Sequence, residues 1–578
     1  MRKVLIFAAI LILSTSLLPA GGGSQQSAIP APDQIPAYLN LDGYIPIVRQ
    51  GNDVSITMWT RRDSIANSDI YGQWTAQYIQ NVLNIRLVIE ETYLDTYVER
   101  RNLALAANDL PDIMINQGFG VTDLVRYGQG EGMFLALSDY ISPRLTPTLQ
   151  ALVDGDPNVR AFNTTPDGKM YTIAMVGGVT RYPTGENRVF INTRWMQAAG
   201  IREVPRTLDQ FIDMLRRFNQ LTPQQVGAQG RITPMISANE HDRRFFMNAL
   251  GFIGGCVWGM DPAVDIRNRR VAIPAGEPEW EDFIRLYHTM YSEGLIHPDY
   301  FTMAANRTEA RAHFAEGNAG VSSDSAPYVS MPNTFAEWVS AAPLTSSANS
   351  TAAVARGPNV GVGTFIVSSR TRQPHVIMRL LDWMYSPEGS VLTQNGPIAG
   401  HPHSFGYGGF ALNETRDNFF HPDVRSGRFE SDWHYRVNAI QISQETPRDT
   451  SGSFFHMMRQ LGVANPELRE FDLTDGDDHY YVMVYNANNG YFFDRLPPAF
   501  LSETQVRRAA DLRSVLENHV RAETARFVVG QRPLNQIPQF FAELRALGMD
   551  EYRNIYTDVY RDYINNRTDW STYRIDYN

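Results

Sequence analysis

Lysine is almost missing from this 578-residue chain: of its 51 basic residues only Lys3 and Lys169 are lysines, and arginine supplies the rest. Genomic compositional bias is the plain explanation, and a surface selected for carboxylate or phosphate pairing is the alternative. Cysteine is scarcer still. Cys256 is alone, which excludes an internal disulfide and a thiolate metal cluster and leaves it as a small buried hydrophobe. Runs of one charge sign are absent, and a formal charge of −11 excludes the basic stripe that a nucleic-acid surface needs. After Leu13 no apolar stretch is long enough to cross a membrane. A nucleophile elbow, a P-loop, a zincin helix and a dinucleotide-binding glycine pattern are also lacking, and His401-Pro402-His403 is an isolated pair without further ligands.

What is present is an ordinary globular balance, 43% hydrophobic and 20% charged, in a chain too long for one core. Two or more α/β lobes are expected. Arg2 and Lys3 precede the apolar run Val4 to Leu13, and Pro19-Ala20-Gly21 follows, so residues 1–20 read as a signal peptide and the protein as exported. Residues 21–52 are rich in Gly, Gln, Pro and Ala, the composition of a flexible tether.

The folded body starts at Asp53. Val54, Ile56 and Met58 alternate with polar residues as in a strand, Trp74, Tyr78 and Val82 recur at helical spacing, and Ile85 to Ile89 give a second strand. This β-α-β unit predicts a parallel sheet. A helix around Tyr97 to Ala107 then leads to the short strand Asp112 to Ile115. Ligands of open α/β sheets bind beyond the carboxyl ends of strands, which singles out Trp59, Arg61, Asn116 and Gln117 as cleft-lining candidates. Thr207 and Gln210 form a capping box ahead of a helix whose apolar face is Leu208, Phe211, Ile212, Leu215 and Phe218. A second helix starts at Pro374 and stops at Ser386-Pro387, and the C-terminal third is mostly helical, with Leu512, Val515, Leu516, His519 and Val520 on one stretch.

Several stations along the chain occur together in a known order. They are Leu103 to Ile113 (LALAANDLPDI), Asp167 to Tyr171 (DGKMY), Phe190 to Met196 (FINTRWM), Ala199 to Gln210, Gly294 to Asp299 (GLIHPD), Phe314 to Gly320 (FAEGNAG), Leu380 to Gly389 (LLDWMYSPEG), Ala525 to Gly530 and Leu547 to Met549. In that order they resemble the family 1 extracellular solute-binding proteins of ABC importers, and within them the LipO-like group that includes alginate-oligosaccharide binders. The resemblance implies a two-lobed type II periplasmic-binding-protein fold with a hinge, an interlobe cleft and a helix-rich C-terminal part. By the same analogy, lobe 1 holds 53–161 and 321–400, and lobe 2 holds 162–320 and 401–578.

Two departures from the family stand out. Leu18-Pro19-Ala20-Gly21 runs into Gly22 where relatives carry a lipobox cysteine, so acylation there is excluded as the sequence stands. The stretch Leu221 to Thr233 contains no Asp or Glu where many relatives have an acidic calcium-type loop, so no calcium is expected there.

The implied function is capture of a small ligand, an oligosaccharide by preference, and its delivery to the permease subunits by a monomer that needs no cofactor. Aromatic faces with a few polar groups suit a sugar's apolar C–H faces and hydroxyl rim. By analogy, Asp324 and Tyr328, after the Gly320 turn, belong to the cleft, and Trp258 and Trp433 lie in regions that reach it. Arg61, Arg62 and Arg181 would suit a uronate or sulfated sugar. Core packing is as good an account of each aromatic, and Lys169 is read as a strand-edge lysine, with a ligand or lobe–lobe contact as the alternative. An exported carbohydrate-active enzyme with a carboxylate pair and a ligand-presenting sensor remain open as rival readings.

Overall fold

The computed structural model describes residues 29–62, 71, 73–93, 96–173, 187–238, 241–255, 258–303, 307–324, 326–331, 333–357, 360–409, 411–412, 419–420 and 476–574. Cys256, Arg181 and Trp433 lie outside these residues.

Alternation sets the first strand, Ser55–Arg62, in which Ile56 and Met58 are buried while Thr57 faces out. It pairs in parallel with Arg86–Tyr93 over its full length, and with Ile113–Ile115 on its other side. Phe365–Val367 and then Thr172–Ile173 complete a five-stranded sheet. The helix Trp74–Asn81 lays Trp74 and Tyr78 against one face of it, as their spacing predicts. The helix Pro374–Tyr385, with proline in its first turn, is buried along its entire length.

A second, four-stranded sheet runs in the order Trp338–Ser340, Val189–Asn192, Ala319–Ser323, Thr233–Ser237. Its own core contains Phe211, Ile212, Leu215 and Phe218 from the helix Leu208–Phe218, and the expected capping box forms there: Gln210 N donates to Thr207 Oγ1 and Thr207 N to Gln210 Oε1, both at 3.2 Å. The C-terminal helices Glu503–Val528, Ile537–Ala546 and Met549–Asn566 pack on this second core. Leu512, Leu516 and Val520 face inward at four-residue spacing, whereas Val515, outside that stripe, is 51% exposed.

Two expectations need correction. From residue 29 onward the supposed tether is packed on the first lobe: Leu39, Ile47 and Val48 are at most 2% exposed, and the N–H groups of Ile47 and Val48 donate to Leu83 O. Its few apolar side chains join the first core without forming a regular element there, so they carry no periodicity. The sheets also displace the lobe boundaries. Thr172–Ile173 pairs in the first sheet, and Ala319–Ser323 and Trp338–Ser340 pair in the second. Moreover, Trp74 Nε1 donates to His403 O at 2.8 Å, and Phe405 and Tyr407 pack on the first core, so this part of 401–578 belongs with lobe 1.

The C-terminal helices carry a buried charge network. Arg532, 5% exposed, donates to Glu523 at 2.6 Å and to both oxygens of Glu543 at 3.0 Å. Burial alone would raise the Glu523 carboxyl, but hydrogen bonds from Arg532 and Arg526 outweigh it, and those from Arg532 hold Glu543 low as well. Both glutamates therefore add stability that is complete above their unfolded pKa and is lost as pH falls through the folded value. Arg532→Met is expected to lower stability by about 1–3 kcal/mol at neutral pH. In urea titrations the deficit should narrow below about pH 4.5, the ordinary glutamate range. A pH-independent deficit would assign the loss to packing against Phe527 instead.

Candidate functional site

Two groups of side chains sit at the carboxyl ends of the two sheets. In the first, parallel pairing of Trp59 with Met114 and Thr60 with Ile115 brings Arg61 next to Asn116. Trp59 is 6% exposed, its Nε1 donates to Glu90 at 3.1 Å, and the Arg100 guanidinium lies 4.8 Å from its ring while pairing with the same Glu90. Gln117 is fully buried and donates to Thr92 Oγ1 and Ile115 O at 3.0 and 2.9 Å, so its amide serves the fold. Asn116 is buried in a left-handed conformation (φ 55°) that turns the chain away from the strand. Of these four, Arg61 alone has a partly exposed side chain, stacked 5.0 Å from the Tyr97 ring.

The second group gathers where Thr233–Ser237 and Ala319–Ser323 end side by side, Ser237 opposite Ser323. The next helix, His241–Ala249, begins there, with Asp242 N donating to Ser323 Oγ at 2.9 Å. The Asp242 carboxylate is fully buried and accepts from Ser237 Oγ at 2.6 Å, Tyr287 OH at 3.0 Å and Tyr300 OH at 2.5 Å. Beside it, the buried Arg243 stacks 3.9 Å from the centre of the half-buried Trp258 ring, and the exposed Arg521 lies 5.2 Å from the same ring. Asp324 is fully buried and takes Arg311 Nε at 2.9 Å and Ser330 Oγ at 2.5 Å. Tyr328 is half-buried, its ring 6.1 Å from that of Tyr480.

Trp59, Arg61, Asn116 and Gln117 are thus neighbours at the first set of strand ends; at the second, Trp258 contacts Arg243 and Asp324 follows Ser323 in the chain, while Tyr328 lies beside Tyr480. Among the described residues no hydrogen bond or ring contact joins the two groups. Sequence reasoning missed Asp242, Arg243 and Tyr300. The signal was available: His241-Asp242-Arg243 follows a strand's carboxyl end, but that strand is buried at every position and shows no alternation.

Lys169 lies in neither group. It pairs with Asp139 at 2.9 Å, both side chains half exposed, and the ammonium is held above its ordinary range by that hydrogen bond. The loop 221–233, without carboxylates, is tied by an arginine: Arg194 Nη1 donates to Val226 O at 3.3 Å and Nη2 pairs with Glu337. Among the described residues no three His, Cys, Asp or Glu side chains converge as a metal ion requires, and no helix is long and apolar enough to cross a membrane.

Two sheets, each with its own core, are the plan of a two-lobed protein, and residues 76–391 match the family described as bacterial extracellular solute-binding protein. The chain belongs to that family. Among curated solute-binding proteins it is similar to the fructooligosaccharide ABC transporter substrate-binding protein FusA of Streptococcus pneumoniae serotype 4, 22% identical over 495 residues, 82% of this chain and 84% of FusA. The solved structure of FusA with kestose superposes with a TM-score of 0.70 at 18% identity, over 89% of this chain and all of that one. A milk-oligosaccharide-binding solute-binding protein from Bifidobacterium longum infantis and the alginate-binding protein AlgQ2 each give 0.63 at 18% identity, covering 89% of this chain and 99% of theirs. The fold is therefore the two-lobed α/β fold of this family, and the named relatives are binding proteins.

Proposed function

We propose that this solute-binding protein captures an oligosaccharide between its lobes and hands it, chemically unchanged, to the membrane subunits of an ABC importer outside the cell. The observation that carries this reading is the near full-length likeness to FusA together with an aromatic and arginine side chain at each set of strand ends. Trp258, Arg61 and Tyr328, all partly exposed, are the proposed ligand contacts. The buried Trp59, Asn116, Gln117 and Asp324 shape the walls behind them. Closure follows from differential affinity: a sugar touching both lobes binds the closed state more tightly and shifts the population toward it.

Thermal shift against kestose, an alginate trisaccharide and Man5GlcNAc tests the reading. A ligand held about a hundredfold above its Kd adds about 2.7 kcal/mol, which raises the melting temperature by about 2–4 °C in a protein of this size. The sugar should be recovered intact by chromatography. No shift with any of the three would count against capture of an oligosaccharide, and cleavage products would favour the enzyme reading.

A further inference from the structure

We infer that Arg243 is a positioning residue, fixing the Trp258 indole as the platform on which a sugar ring stacks; this rests on the capture reading above. Arg243 is 1% exposed and so out of a ligand's reach, whereas Trp258 is partly open to solvent. A guanidinium carbon over a ring at 3.9 Å from its centre is in van der Waals contact, with the cation held by the ring's negative face. Such contact leaves the indole no freedom to tilt.

The backbone on either side, at Gly254 and Gly259, is closely packed, which fixes where the indole is attached but not its tilt about the side-chain torsions. Gly254 and Gly259 adopt φ of 75° and 64°, a region other residues avoid, and a Cβ on Gly259 would lie 2.6 Å from the Trp280 ring. Orientation must come from the side on which the ring leans. That side is rigid. The Arg243 guanidinium is also walled by Tyr300 and Phe301, whose ring centres lie 5.1 and 5.5 Å away. Its Nε donates to Tyr300 OH at 3.1 Å, and Tyr300 OH donates to Asp242, which is anchored by Ser237 at the end of the edge strand and, through its own N–H, by Ser323 at the end of the strand beside it. The relay thus runs from the sheet to the indole. A platform set this way keeps its angle before ligand arrives, which removes an ordering cost from binding.

A thermodynamic cycle tests the relay by calorimetry with kestose, the alginate trisaccharide and Man5GlcNAc. Trp258→Ala and Arg243→Met are each expected to weaken binding by about tenfold or more, and the double variant should bind within about twofold of Trp258→Ala alone, because Arg243 acts only through the indole. Losses that multiply in the double variant, or an Arg243→Met protein that binds like the parent, would overturn the inference. Should Arg243→Met not fold, Tyr300→Phe carries the same cycle: it removes one oxygen, and its loss of affinity must vanish in the Trp258→Ala background. A parent protein that binds none of the three sugars overturns the capture reading and takes this inference with it, an outcome distinct from binding with additive losses.

Discussion

Arg379→Ala is expected to lower the unfolding free energy by about 3–5 kcal/mol, the usual effect of removing one partner of a buried ion pair. Arg379 is 2% exposed and Asp382 fully buried, paired at 3.2 Å. The same guanidinium donates to the carbonyls of Asn40, Leu41 and Gly43 in the N-terminal strap and to Leu145 O. Its loss would leave the buried Leu145 O and the partly buried strap carbonyls short of a donor, and the buried Asp382 carboxylate without a counter-charge. Burial already lifts Asp382 above the usual carboxylate range, although Leu149 N, Tyr44 OH and Arg379 oppose it. Without Arg379 it rises further, so the deficit should be largest above that raised pKa and shrink as pH falls and the group takes up a proton. Urea unfolding gives the magnitude, and limited proteolysis should show earlier cleavage between residues 29 and 52. A deficit under about 1 kcal/mol, or a strap as resistant as before, would show that packing of Leu39, Ile47 and Val48 holds it alone.

The strap shows why part of this fold was legible in sequence and part was not. The capping box at Thr207 and the proline start at Pro374 are local signals, complete within one turn, and both stand where the sequence puts them. Arg379 reaches carbonyls more than three hundred positions earlier in the chain, and nothing near it announces that. A Gly- and Pro-rich segment without periodicity has the same composition whether it floats or is pinned from a distance. The site divides the same way. The carboxyl-end rule placed Trp59, Arg61, Asn116 and Gln117 at strand ends because a β-α-β unit can be read from alternation, but the rule does not say which side chains turn inward, and Gln117 does. Asp324 has the chemistry of a sugar ligand, yet Arg311 and Ser330 occupy it. The stack of Arg243 on Trp258 is a contact between separate elements that no spacing encodes.

Val506→Asp is expected to weaken sugar binding while altering no proposed ligand contact. Val125, from the helical turns that follow the first sheet, is fully buried against Leu501 and Val506, themselves 2% and 1% exposed, with Phe500, Ile555, Tyr556 and Val559 at the edge. Leu501 precedes the long helix Glu503–Val528, which packs on the second core, and Val506 lies in its first turn, so this apolar cluster is a contact between the two sheet cores' elements. Phe500 also packs into the cluster of Trp59, Leu124 and Tyr171. Val125 lies beyond the carboxyl end of Ile113–Ile115, so on the capture reading proposed above opening of the lobes separates it from Val506. Ligand affinity then includes the stability of this contact, because binding selects the state that makes it. A carboxylate at position 506 cannot stay buried among these side chains without a partner, and separation of the lobes relieves it. The closed state should lose about 2–3 kcal/mol, roughly 30- to 150-fold in Kd, and the ligand-free protein should show a larger radius of gyration in X-ray scattering. Unchanged affinity with an unchanged radius would mean that the cluster is a pivot kept in both states, and that the lobes turn about it rather than part from it.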